Sequence, residues 1–211
     1  MAFVPVFRAP FQPVFSKPGA ALTRYTLTLQ PNGAAGIDTF LRQSIPDSNF
    51  GTDANLRFAT NYRALIKFDL SSIPVGASIV SGTSFLTLSV RAAATSIVSL
   101  NRILIAAVAW TELGATWNHL DGVSNWPGGH TGCGTSGVDY SSTALGSITA
   151  TLNDPVGTIY TSALTLSEVA LMVTNNAGLV FGGSSATLNY FASSDHLTAA
   201  YRPKLVVVYD A

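Results

Sequence analysis

Four groups of residues in this chain have the types and spacing to do chemistry. Ser194-Asp195-His196 contains the three residue types of a hydrolase triad. A triad needs the histidine between the other two, with one ring nitrogen toward each. Three consecutive residues do not reach that geometry, and nothing upstream reads as a nucleophile elbow. Gly132-Cys133-Gly134-Thr135-Ser136-Gly137 spells G-x-G-x-x-G. A dinucleotide fingerprint requires a strand before it and a helix after it, so that the helix N-terminus meets the pyrophosphate. Val138-Asp139-Tyr140-Ser141-Ser142 follows instead and does not start a helix. His119, Asp121, His130, Cys133 and Asp139 form a third group, but their spacing lacks the paired ligands of a zinc site. Asp121 and Asp139, with loop carbonyls, are the calcium candidates, set against an ordinary role as hydrogen-bonded loop carboxylates.

The fourth group is aromatic. Trp110, Trp117 and Trp126 are the chain's three tryptophans. An exposed ring face stacks on a pyranose, whereas a buried one plugs the end of a sandwich. Trp110 and Trp117 are expected to plug. Trp126, just before Pro127-Gly128-Gly129, suits either role. As a glycan contact it would be flanked by His130 and Tyr140.

These residues need a scaffold, and the composition points to an all-β one. The chain has 211 residues, enough for one sizeable domain. Only 10% of the residues are charged, the formal net charge is zero, and Ser, Thr, Asn and Gly fill the polar positions. Such a surface does not steer toward phosphate backbones, so no nucleic-acid partner is expected. The single cysteine, Cys133, has no partner for an intramolecular disulfide. No apolar run is long enough for a membrane helix, so no membrane partner is expected. Prolines cut the opening residues into apolar runs too short for a secretory signal. Arg57, Arg63, Lys67 and Arg91 lie on or near expected strands. They are expected to pair with carboxylates such as Asp69 or Glu112, the alternative being contact with an acidic polysaccharide.

Short alternating segments bounded by turn residues predict strands over 22–30, 37–42, 55–59, 63–70, 84–90 and 99–108. Further strands are predicted over 147–152, 179–182, 187–192 and 203–209. Thr165-Leu166-Ser167-Glu168 has capping-box spacing before an apolar run, and Asn175-Asn176 and Gly178 supply a stop, so one short helix is predicted. The segment 110–140 is long, irregular and carries seven glycines. Loops of that length are usually functional or packed as a cap.

Several of these segments, in order, resemble a known family. They are TLTLQPNGAAGIDTFLRQ, SNFGTDANLRF, RALIKFDLSSIPVGASIVSGTSFLTLSV, WTELGATWN, NNAGLVF and FASSDHLTAAYRPKLVVVY. Together they are similar to the DNRLRE-type, disaggregatase-related β-sandwich, some members of which are grouped with carbohydrate-binding modules. The resemblance implies a jelly roll without catalytic machinery, carried on secreted or surface proteins and in some cases binding polysaccharide. His130-Thr131 follows Gly128-Gly129 where related sequences carry acidic residues, which weakens a calcium role for this loop.

Residues 1–21 fall outside the resemblance. FVPVFRAPFQPVFSKP carries Phe3, Phe7, Phe11 and Phe15 at an interval of four, with Pro5, Pro10 and Pro13 between them. The prolines remove helix donors and push the chain to extended geometry. Phenylalanine burial alone does not offset the entropy of ordering such a segment. An ordered arm would also need main-chain bonds to a partner, such as an added strand. The arm loosely resembles the openings of tailed-phage structural proteins.

The expectation is thus an all-β, jelly-roll-like antiparallel β-sandwich over 22–211, with one short helix and an extended assembly arm over 1–21. The leading functional expectation is a non-enzymatic structural protein of a virion, in a capsid-decoration or tail position. It would be made in the host cytoplasm and displayed on the virion surface. Its partners would be copies of itself and other capsid or tail proteins. The alternative is a carbohydrate-binding module or adhesin, extracellular or at a cell surface, recognising polysaccharide. No cofactor is expected.

Overall fold

The computed structural model describes residues 22–90, 92–104 and 110–211. The arm residues Phe3 to Phe15, Arg91 and the end of the strand predicted over 99–108 lie outside the described residues. The strands are β1 (Arg24–Leu29), β2 (Ile37–Arg42), β3 (Asn55–Phe58), β4 (Tyr62–Lys67), β5 (Ser78–Thr87) and β6 (Ser96–Arg102). They continue with β7 (Gly146–Ala150), β8 (Ile159–Ala163), β9 (Leu179–Gly183), β10 (Asn189–Ala192) and β11 (Lys204–Asp210). One α-helix among the described residues, α1, spans Leu166–Thr174 between β8 and β9.

The strands build an all-β sandwich. One sheet has the order β1-β11-β5-β8 and the other β2-β4-β9-β6-β7, while β3 and β10 form a separate ribbon. Every pairing between these strands is antiparallel. The cause is visible in single strands. Along β11, Leu205, Val207 and Tyr209 are buried while the residues between them are half-exposed. Along β6, Val98 and Leu100 point inward while Ile97 and Ser99 point outward. Period-2 alternation of this kind lets one face of an antiparallel sheet build a core. Phe40, Ile66, Leu100 and Phe181 from one sheet meet Leu86, Leu205 and Val207 from the other. Phe58 and Phe191, on the ribbon, stack at 4.4 Å and close one side of that core.

The five-stranded sheet is buried on both faces over part of its width. On β2, β4 and β9 the outward Leu41, Leu65 and Val180 belong to a second apolar cluster with Trp110, Trp117, Trp126 and Cys133. Segment 110–140 therefore lies across the outer face as a cap. This explains why β2 and β4 carry runs of consecutive buried positions, whereas buried and more exposed positions alternate along β6 and β11.

Two elements differ most from the sequence expectation, while β4 ends at Lys67 and β6 begins at Ser96, each three residues earlier than predicted. Strand β8 had no prediction, because its Ile159 faces outward while Ser162 is the buried position. Polar and apolar positions are inverted there, and alternation points to the wrong face. Strand β5 begins at Ser78 rather than Ser84, and its added residues, including the small Ser81, Gly82 and Thr83, show no apolar alternation yet pair with β11.

The helix occurs where it was expected, and buries Val169 and Met172 in the main core. A Cβ at Gly82 of β5 would come within 3.0 Å of Val169 Cγ2, so the glycine lets the helix approach the strand. The capping box itself does not form. Thr165 Oγ1 donates to Ala144 O at 2.9 Å, and Glu168 turns away to pair with Arg102 of β6 at 3.0 Å.

Candidate functional site

The cap positions most of the residues with chemical potential, and it uses up several of them. Trp126 is 1% exposed, and its Nε1–H donates to Thr116 O at 2.9 Å. Trp110 is buried likewise and donates to Ala177 O at 2.7 Å. Both are plugs with their polar edge satisfied, as buried tryptophans generally are. Trp126 thus presents no ring face to a sugar, which corrects the glycan-contact reading. The sequence could not decide this, because what buries Trp126 is its cap packing against strands remote in sequence. Trp117 packs under the Arg63 guanidinium, 5.1 Å from its ring centroid.

The calcium candidates are also occupied. The Asp139 carboxylate is fully buried. Its Oδ1 accepts the Gly128 N–H at 2.8 Å, and its Oδ2 accepts the Thr135 N–H at 2.8 Å and the Thr131 hydroxyl at 3.1 Å. It clasps the loop that carries the glycines. Asp121 accepts the N–H groups of Val123 and Ser124, which hold its carboxyl below the usual range. Among the described residues neither belongs to a group of carboxylates able to share a cation.

The G-x-G-x-x-G segment is part of the same loop. Gly132 has φ +64° and sits so close to Trp117 that a Cβ would lie 2.6 Å from the indole. Cys133 is buried, and that burial pushes its thiol well above the ordinary value. His130 is exposed and stands edge-on to His119 at 5.8 Å. In the Ser194-Asp195-His196 stretch, His196 Nδ1 accepts the Thr198 N–H at 3.1 Å and its ring stacks on Tyr201. Ser194 instead donates its N–H to Asp38 Oδ2 at 2.8 Å. No relay links serine and histidine.

The part of the five-stranded sheet that the cap leaves open forms a groove of about 340 Å³. Its floor is the outward face of β4, β6 and β9, with Arg63, Ser99, Asn101 and Gly182, and Tyr140 forms one wall. A Cβ at Gly182 would meet nothing within 4 Å, so the floor is clear there. Arg63 is held rigidly, because its Nη1 donates to Thr131 O at 2.7 Å and Gly132 O at 3.2 Å. Its guanidinium forms no ion pair among the described residues, whereas Arg57 pairs with Asp53 at 2.8 Å. Asn101, another lining residue, has its amide fixed by the bond from Nδ2 to Ser141 O at 3.0 Å. Of Trp126, His130 and Tyr140, only Tyr140 lines this surface.

A second constellation was not foreseen. Asp38 on β2, Glu112 in the cap and Asp195 after β10 bring one carboxylate oxygen each within 4.8 Å of one another. Burial, with Glu112 and Asp195 nearby, pushes the Asp38 carboxyl up to about 7, and burial also raises Glu112. No local spacing could have revealed it, since Asp38 and Glu112 are 74 residues apart.

The described residues thus form a sandwich with an open polar groove on one sheet. Residues 32–125 match the model of carbohydrate-binding module family 96, so the chain carries a carbohydrate-binding-module-like domain. The match includes Arg63, Ser99 and Asn101 of the groove floor and ends before Tyr140 and β9. No curated protein matches the chain. No helix among the described residues is long and apolar enough to cross a membrane.

Proposed function

We propose that this protein is a non-enzymatic carbohydrate-binding module that holds a polysaccharide along the groove of its five-stranded sheet. The observation that carries the reading is the groove itself, uncapped, lined by fixed polar side chains and shared between the family-matched residues and β9. A pyranose offers hydroxyls at its rim and C–H groups on its faces. Ser99, Asn101 and Arg63 supply hydrogen-bond partners, while Tyr140, Ile97 and Val180 supply apolar contact. The positioned guanidinium of Arg63 adds a preference for chains bearing carboxylate or sulfate, which it binds in a fork geometry. The reading places the protein outside the cell or at its surface, where such polymers are met.

The test is retention on affinity gels carrying neutral and acidic polysaccharides. Gly182→Gln fills the clear floor, and Asn101→Ala removes a lining amide. Each is expected to weaken binding about tenfold or more, equivalent to roughly 1.4 kcal/mol. Melting should stay close to that of the unaltered protein for Gly182→Gln, because the added side chain enters open space. Undiminished retention in both variants, or no retention of the native chain by any polysaccharide, overturns the proposal.

The virion reading keeps one support, the Phe/Pro spacing of residues 1–21, and the family match lends it none. In that reading 1–21 is an assembly arm on the 22–211 domain. The full chain should then elute from size exclusion as an oligomer, and a chain lacking 1–21 as a monomer. Monomers in both cases remove the reading.

A further inference from the structure

We propose that Asp38, Glu112 and Asp195, together with the Ser194 hydroxyl, form a calcium site that ties the cap to the sandwich. The three carboxylates converge from β2, the cap and the connection after β10. No lysine, arginine or histidine pairs with any of them among the described residues. The neutralising groups within the protein are few. Ser194 N–H donates to Asp38 Oδ2 at 2.8 Å, and Asp38 N–H donates to Glu112 Oε1 at 3.2 Å. Like charges this close, one of them 2% exposed, repel each other in a medium that screens poorly. A bound cation resolves that repulsion.

A second feature points the same way independently. Ser194 is fully buried with its side chain toward the Asp38 carboxylate, yet its Oγ makes no well-formed hydrogen bond there. Buried hydroxyls are almost always bonded, and an orphan is costly. Coordination of a cation through its lone pairs would satisfy it. The turn before β2 closes over the cluster. A Cβ at Gly33 would lie 2.0 Å from Asp195 Oδ1, and one at Gly36 would lie 2.1 Å from Ser194 Oγ. The group is therefore walled in on that side.

The donor set selects the ion. All the ligands are oxygens, which suits a hard cation over zinc or copper. They come from three separate segments with irregular spacing, which suits the flexible shell of calcium better than the strict octahedron of magnesium. Such an ion would join residues far apart in sequence, so its effect should appear in stability.

The experiment uses the full chain, stripped with a chelator, with calcium or magnesium chloride then added. Binding is read by titration calorimetry and stability by thermal melting. Calcium at a hundredfold excess over its dissociation constant should raise the melting temperature by roughly 5–10 °C. Magnesium should do so much less. Asp195→Asn, which changes a half-buried loop residue, should fold and lose at least tenfold in calcium affinity. Glycan retention is measured alongside, so failure of the groove reading is seen separately. Absence of calcium heat and of a melting shift in the native chain overturns the proposal. Equal responses in Asp195→Asn and the native chain also overturn it.

Discussion

Trp126→Ala is expected to destabilise the protein by about 3–5 kcal/mol, the range for deleting a fully buried large aromatic. The indole is 1% exposed and sits in the second apolar cluster with Trp110, Trp117 and Leu120. Removing it opens a cavity beneath the cap and takes the donor from Thr116 O, which the indole N–H reaches at 2.9 Å. A buried carbonyl that loses its donor adds its own penalty. The measurement is the denaturant midpoint, with a fall in melting temperature of roughly 10 °C as a second readout. The result separates two roles for the residue. Below its melting range the variant should still be retained by a polysaccharide that binds the groove. Near-native stability with retention abolished would mean that the ring faces the sugar after all.

Glu168→Gln carries an effect of similar size for a different reason. Arg102 Nε and Glu168 Oε2 are 3.0 Å apart, and the two side chains are 10% and 7% exposed. Breaking a buried pair from one side leaves a charge that neither water nor protein neutralises, at a cost of about 3–5 kcal/mol. Replacing both partners with apolar residues of similar volume removes the stranded charge and is often neutral or stabilising. The double variant Glu168→Leu with Arg102→Met should therefore be more stable than Glu168→Gln alone. Equilibrium unfolding of the two variants and the native chain decides it. A fall of less than about 1 kcal/mol in Glu168→Gln would show that water reaches the guanidinium and the pair is effectively a surface one.

Glu168 also shows where local reading stops. Its place three residues after Thr165 has the spacing of a capping box. The helix is there, because its apolar residues and stop signals act over a few residues. The box is absent, because Arg102 arrives from another sheet strand and offers the carboxylate a stronger partner. Tertiary contact overrides a local preference worth about 1 kcal/mol. The same holds for Arg63, which was expected to pair with a carboxylate. It is instead held by two loop carbonyls and left facing the groove, because the cap folds those carbonyls onto β4.

By itself the sequence determined whatever depends on neighbours a few residues away. Alternation along β6 and β11, the turn residues between strands, the short helix and the adjacency that disables Ser194-Asp195-His196 were all legible. Segment 110–140 was legible as a long loop, either functional or packed as a cap, with Trp110 and Trp117 as its expected plugs. Only the tertiary structure decided which surfaces remained for ligands. It buried Trp126, saturated Asp139 and left the face of β4, β6 and β9 uncovered. It also gathered Asp38, Glu112 and Asp195 from three distant segments into one walled cluster. The physical reason is common to all of these. Burial and charge proximity depend on which segments pack together, and the partners here lie tens of residues or more apart or, for Asp139, within an irregular loop whose course no alternation encodes.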